Sequence, residues 1–163
     1  MKKIINSLIV LNLLLVSAYI LYATNQKEKI ITKGELVLLR LAPVDPRSLM
    51  QGDYMILNYA VNNNIPDSIP NKGYLIFEKD SIGELHPKKF IKKLNPKHNQ
   101  IAIKYQYKAD DWRAPIKIGA ESYFFEEGKA EIFEDAVYGG LRVDTDGNSV
   151  LIGLFNKNKE LIQ

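Results

Sequence analysis

The chain has 163 residues, of which 46% are hydrophobic and 25% charged, and its formal net charge is +3. That length admits one domain and an appendage. The absence of cysteine excludes disulfides, thiolate metal sites and a cysteine nucleophile.

From Ile4 to Ala23 the sequence IINSLIVLNLLLVSAYILYA carries no charge and follows Lys2 and Lys3. At about 1.5 Å per helical residue it reaches roughly 30 Å, the thickness of a bilayer's hydrocarbon core. A signal peptide would have a shorter apolar core, ending here at Val16-Ser17-Ala18. The apolar run continues through Tyr19, Ile20, Leu21 and Tyr22, which predicts an uncleaved signal-anchor over residues 4–23. Lys27, Lys29 and Lys33 beyond the span balance the two lysines before it, so charge does not set the orientation. The shape does: a short cytoplasmic tail (residues 1–3), one span, then all remaining residues. This predicts a single-pass membrane protein whose soluble part faces outward.

Residues 24–34, TNQKEKIITKG, read as a polar tether, and residues 35–163 as an extracytoplasmic β-rich domain. ELVLLRLA (35–42) is apolar on both faces, as in a strand covered on both sides. YMILNYAV (54–61) follows a Gly-Asp turn, with Met55, Leu57, Tyr59 and Val61 on one face and Tyr54 and Ile56 on the other. NNNIPDSIPNKG (62–73) is a loop by composition, and YLIFEK (74–79) is a strand. A fourth strand lies in SIGELHPKKFIKKL, where Pro87 restricts its pairing. IAIKYQYK (101–108) alternates cleanly, with Ile101, Ile103, Tyr105 and Tyr107 opposite Lys104, Gln106 and Lys108. The helical spacing of Ile132, Phe133, Ala136 and Val137 predicts one short helix. LRVDTDGNSVLIGLF reads as a hairpin about Asp146-Gly147. Many short strands without helical crossovers predict a mainly β fold, a single compact antiparallel or mixed barrel or sandwich.

Lys88, Lys89, Lys92, Lys93 and Lys97 cluster beside Phe90, Ile91 and Leu94. They suit anionic lipid head groups or another anionic envelope component, or else guard a strand edge against pairing. Aromatic and arginine interleaving for nucleic acid is lacking. DTDGNS (144–149) resembles the opening of a calcium loop, but Gly147 stands at the fourth place and Phe155 replaces the glutamate at the twelfth. His86 and His98 are too few for a histidine-rich metal site. No metal and no cofactor is expected.

DPRSLMQGDYMILNY (45–59) is the densest stretch. Pro46 biases Asp45 toward extended backbone, and Asp45 and Asp53 can each brace a turn. Ser48 ahead of Gly52-Asp53, with Lys104 on a later strand, resembles a segment of the membrane serine-lysine peptidases. The four-residue gap is short, however, Leu49 stands where they carry methionine, and Lys104 lies on the wet face of its strand. A hydrolase using Ser48 with Lys104, or Asp45 and Asp53 as an acid–base pair, is thus the weaker alternative.

Gly52 to Tyr59, GDYMILNY, fits the pattern G-D-Y-x-x-L-x-Y at every fixed position, and the chain resembles the GDYXXLXY family of bacterial proteins. The preceding DPRSLMQ, YFFEEG (123–128) and YGGLRVDTDGNSVLIGL (138–154) extend the resemblance. It implies a small membrane-anchored protein of the bacterial inner (cytoplasmic) membrane, its soluble domain in the periplasm or at the cell exterior, often encoded beside or fused to polytopic membrane proteins, and it supplies no catalytic assignment. Gly140 stands where the resemblance implies a glutamate. The leading expectation is a non-enzymatic interaction or assembly module for an integral-membrane partner. Asp45, Pro46, Arg47, Ser48, Gly52, Asp53, Tyr54, Leu57, Tyr59, Arg142 and Asp144 are the residues expected to brace the fold or touch that partner.

Overall fold

Residues 2–42, 54–79, 85–94, 100–112 and 114–163 are described by a computed structural model. Helix α1 spans Lys2–Lys33. Neither glycine nor proline interrupts it, and Gly34 ends it by donating its N–H to the Ile30 carbonyl (2.8 Å). None of its most apolar part is buried against the rest of the protein, and from Ile4 to Lys33 it is long and apolar enough to cross a membrane. The polar segment 24–33, read from composition as a tether, continues this helix. Ten such residues extend it about 15 Å beyond the apolar stretch.

Among the described residues nine strands follow: β1 (Glu35–Arg40), β2 (Tyr54–Ile56), β3 (Lys72–Lys79), β4 (Leu85–Ile91), β5 (Gln100–Tyr107), β6 (Ile116–Lys117), β7 (Ser122–Phe124), β8 (Tyr138–Val143) and β9 (Ser149–Phe155). All described pairings are antiparallel, in sheets ordered β1-β8-β9, β2-β7 and β4-β3-β5-β6. One core serves all three sheets. Val37 and Leu39 of β1, Leu75 and Phe77 of β3, Ile101, Ile103 and Tyr105 of β5, and Leu141 of β8 meet Met55, Leu57 and Tyr59 there. The mainly β fold behind an apolar N-terminal helix is therefore the architecture that the short-strand pattern predicts.

The differences are local. β1 is not covered on both faces: Val37 and Leu39 are buried, but Leu36 is 41% exposed and Leu38 half-buried. The expected strand 54–61 stops after Ile56. An isolated bridge from Leu41 to Tyr59 and a 3-10 turn at Ala60–Asn63 replace its second half. Its faces nonetheless follow the alternation, with Met55, Leu57, Tyr59 and Val61 buried. Pro87 sits in β4, an outer strand of its sheet, and the register against β3 shifts between Ile76 and Phe77. An outer strand can lose one N–H without breaking the ladder.

The short helix expected around residues 132–137 is a 3-10 turn, Ala130–Phe133. Phe133 is buried, whereas Ile132 is 45% exposed. Val137 donates to the Phe155 carbonyl (2.8 Å) and accepts from Leu41 (2.9 Å), so sheet pairing takes the backbone that a helix would need. The apolar spacing is real, but tertiary hydrogen bonds outweigh it.

Candidate interaction surface at the motif strand

Of the GDYMILNY segment, Tyr54 to Tyr59 is described; Gly52 and Asp53 lie outside the described residues, as do Asp45, Pro46, Arg47 and Ser48. Tyr59 is 2% exposed, and its hydroxyl donates to the Ala120 carbonyl at 2.7 Å. Its ring lies over Gly139, where a Cβ would come within 3.0 Å of the ring and the hydroxyl. Burial, reinforced by the Glu121 carboxylate, pushes the phenol above its ordinary pKa and keeps it a neutral donor.

Leu57 is buried, and its N–H donates to the Glu121 carbonyl (2.8 Å). The Glu121 carboxylate in turn accepts the N–H groups of Ile118 and Gly119, at a turn where Gly119 has φ +81°. Leu57 and Tyr59 thus secure one loop, residues 118–121, from the inside.

Tyr54 does the opposite. It pairs with Phe124 across β2 and β7, ring centroids 5.7 Å apart, on the outward face beside Ile56. Phe124 is 74% exposed, Ile56 57% and Tyr54 39%. Beneath this face Tyr123 and Phe125 pack on the buried Phe133 at 5.1 and 5.3 Å, so the exposed rings stand on a rigid aromatic base. The alternation in YMILNY foretells which way Tyr54 points. No local signal identifies Phe124 as its neighbour, because β7 lies far along the chain.

Arg142 and Asp144 stand elsewhere, on and just after β8. Arg142 donates through Nη1 to the Gly34 carbonyl (2.9 Å) at the C-terminal end of α1. Asp144 braces the β8–β9 turn: Oδ1 accepts the N–H groups of Asp146 (3.0 Å) and Asn148 (2.8 Å), and Oδ2 accepts from the Asn148 amide (2.7 Å). A hairpin turn thus accounts for the calcium-like run. Gly140, where the resemblance implies a glutamate, sits under Phe155, and a Cβ there would lie 2.2 Å from that ring. The aromatic ring fills the space an acid would need.

Lys104, the base of the hydrolase alternative, is exposed, and its ammonium donates to Asn148 Oδ1 (2.7 Å). In the lysine-rich stretch, Lys88 pairs with Glu78, Lys89 is exposed on β4, and Lys92 and Lys93 follow it, also exposed. Lys88 and Gln100 hold the Glu78 carboxyl below its ordinary pKa. This is the arrangement of an outer strand guarded by lysines. Lys97 and His98 lie outside the described residues.

No curated protein and no solved structure matches the chain. The GDYXXLXY protein family matches it over residues 16–154, from within α1 to the last turn of sheet pairing in β9. A match of that extent, on a chain whose namesake motif forms the inner bolt and the outer aromatic face of one strand, means that the protein belongs to the GDYXXLXY family.

Proposed function

We propose that the protein is a membrane-anchored interaction module. In this reading α1 stays in the inner membrane and holds the β-domain on its outer side. The Tyr54–Ile56–Phe124 face then docks on the extracytoplasmic part of an integral-membrane partner. One observation carries the reading: while Met55, Leu57 and Tyr59 of the motif are committed to the core, Tyr54 and Ile56 are left in water beside Phe124 of β7. Isolation of the pair in solvent is worth only about 0.5–1.5 kcal/mol to the domain. Exposed aromatic residues on a rigid base are the kind of anchor that protein interfaces use.

The test is site-specific photo-crosslinking in intact membranes, followed by purification in mild detergent. A crosslinker at Phe124 should give one reproducible adduct with a membrane protein, and one at Lys104 should not. The Tyr54→Ala/Phe124→Ala double variant should lose that partner, with its melting temperature lowered by no more than about 2–5 °C. Retention of the same partner by the double variant, or equal adducts from both positions, would sink the proposal.

A further inference from the structure

The outer face of β1 lines a cleft of about 480 Å³, closed on its other sides by the end of β3, the start of β4 and the turn after β9. That size is within the range of small-molecule sites. Leu36, Leu38, Val61, Phe77 and Leu85 make its wall apolar. Among the described residues, the charged side chains lining it are the cations Arg40, Lys79 and Lys159, and His86 lies beside them.

Two of these cations lack neutralisation. Lys79 is paired with Glu35, but the side chains of Arg40 and Lys159 have no hydrogen-bond or ion-pair partner among the described residues. Lys159 is also held where it is at a conformational cost. It has φ +63°, in the left-handed region that a lysine avoids, within a turn where Asn156 Oδ1 accepts the N–H groups of Asn158 (2.9 Å) and Glu160 (3.1 Å). Glu160 is bonded to the Asn156 amide (3.0 Å).

Among the described residues, an apolar slot bordered by two unpaired cations complements an amphiphile of opposite sign. Its position narrows the choice. Leu36 lies three residues beyond the end of α1, so the cleft begins where the polar extension of the helix ends, about 15 Å past its apolar stretch. We infer that the cleft between β1 and β4 binds a single-chain anionic lipid, because one acyl chain holds to a bilayer only marginally and reversibly and can therefore reach it. The acyl chain lies along Leu36, Leu38 and Phe77, and the head group lies against Arg40 and Lys159. This site is separate from the Tyr54–Phe124 face and does not depend on it.

Full-length protein in phosphatidylcholine nanodiscs provides the test. The probes are three photoactivatable lipids with the same palmitoyl chain: palmitic acid, palmitoyl lysophosphatidic acid and neutral monopalmitoylglycerol. Crosslinks are mapped by mass spectrometry. The acidic probes should label β1 and β4, and excess unlabelled lipid of the same kind should suppress it. The neutral probe should label there roughly thirtyfold less, as expected if two basic groups each contribute about 1 kcal/mol. Whichever acidic probe labels more strongly identifies a carboxylate or a phosphate head group. Arg40→Glu/Lys159→Glu should lower acidic labelling by roughly thirtyfold or more at unchanged melting temperature, since both side chains are exposed. Leu38→Trp, which fills the slot, should abolish it. Equal labelling by the neutral probe, labelling confined to α1, or indifference to the double charge reversal would overturn the inference.

Discussion

Tyr59 shows how a family motif can be structural at one position and outward at another. Its hydroxyl is buried against a carbonyl that is itself buried, since Ala120 is 3% exposed. Tyr59→Phe therefore leaves an acceptor unsatisfied and should cost about 1–3 kcal/mol. The raised pKa adds a second signature. A phenol whose folded pKa lies above its ordinary 10.0 stabilises the fold fully at lower pH and loses that contribution as pH rises above 10. Chemical denaturation from pH 9 to 11 should thus show a fall of up to about 1.4 kcal/mol per pH unit that Tyr59→Phe lacks. Identical pH slopes in the two proteins would rule out a buried neutral Tyr59.

Among the elements, the β8–β9 hairpin is the most self-sufficient and the most legible. Asp144 accepts three hydrogen bonds within it, and Gly147 takes φ +77°. The turn also clasps the neighbouring sheet, because the Gly147 carbonyl accepts the Lys104 N–H (2.8 Å) and Asn148 takes its ammonium (2.7 Å). Asp144→Ala should cost about 1–2 kcal/mol, or about 3–8 °C in melting temperature, and Asp144→Asn less, since one acceptor oxygen survives. Added calcium should raise the melting temperature of neither variant nor of the wild type. A calcium-dependent rise in the wild type would reinstate the metal reading of DTDGNS. In contrast, the 3-10 turn at Ala130–Phe133 shows an element whose apolar spacing misleads, because its flanks are already engaged in strand pairing.

At the scale of the whole molecule, the apolar helix and the β-domain are joined without a slack linker. Gly34 packs so closely on Val143 that a Cβ would come within 3.0 Å of its nitrogen, and Ile30 is buried. The Arg142 guanidinium caps the helix end, where the backbone dipole is negative. A tilt of α1 is thereby passed to β8, the middle strand of its sheet. Arg142→Ala should remove about 1 kcal/mol from this junction. Hydrogen exchange of amides 31–36 should then quicken about fivefold, while β3 and β5 stay unchanged. Uniform acceleration throughout the domain would mean that Arg142 stabilises the fold as a whole and not the joint.

The sequence by itself determined the long apolar helix, the β class, the faces of YMILNY and IAIKYQYK and the Asp-Gly hairpin. Each follows from periodicity or turn chemistry within a few residues. It also made Tyr54 the outward residue of its motif. Tertiary structure alone decided that Phe124 stands beside Tyr54, that Arg142 reaches the end of α1, and that Arg40 and Lys159 border one apolar cleft. These groups lie far apart in the chain, and local pattern carries no information about which strands become neighbours or which cations come to share a cleft.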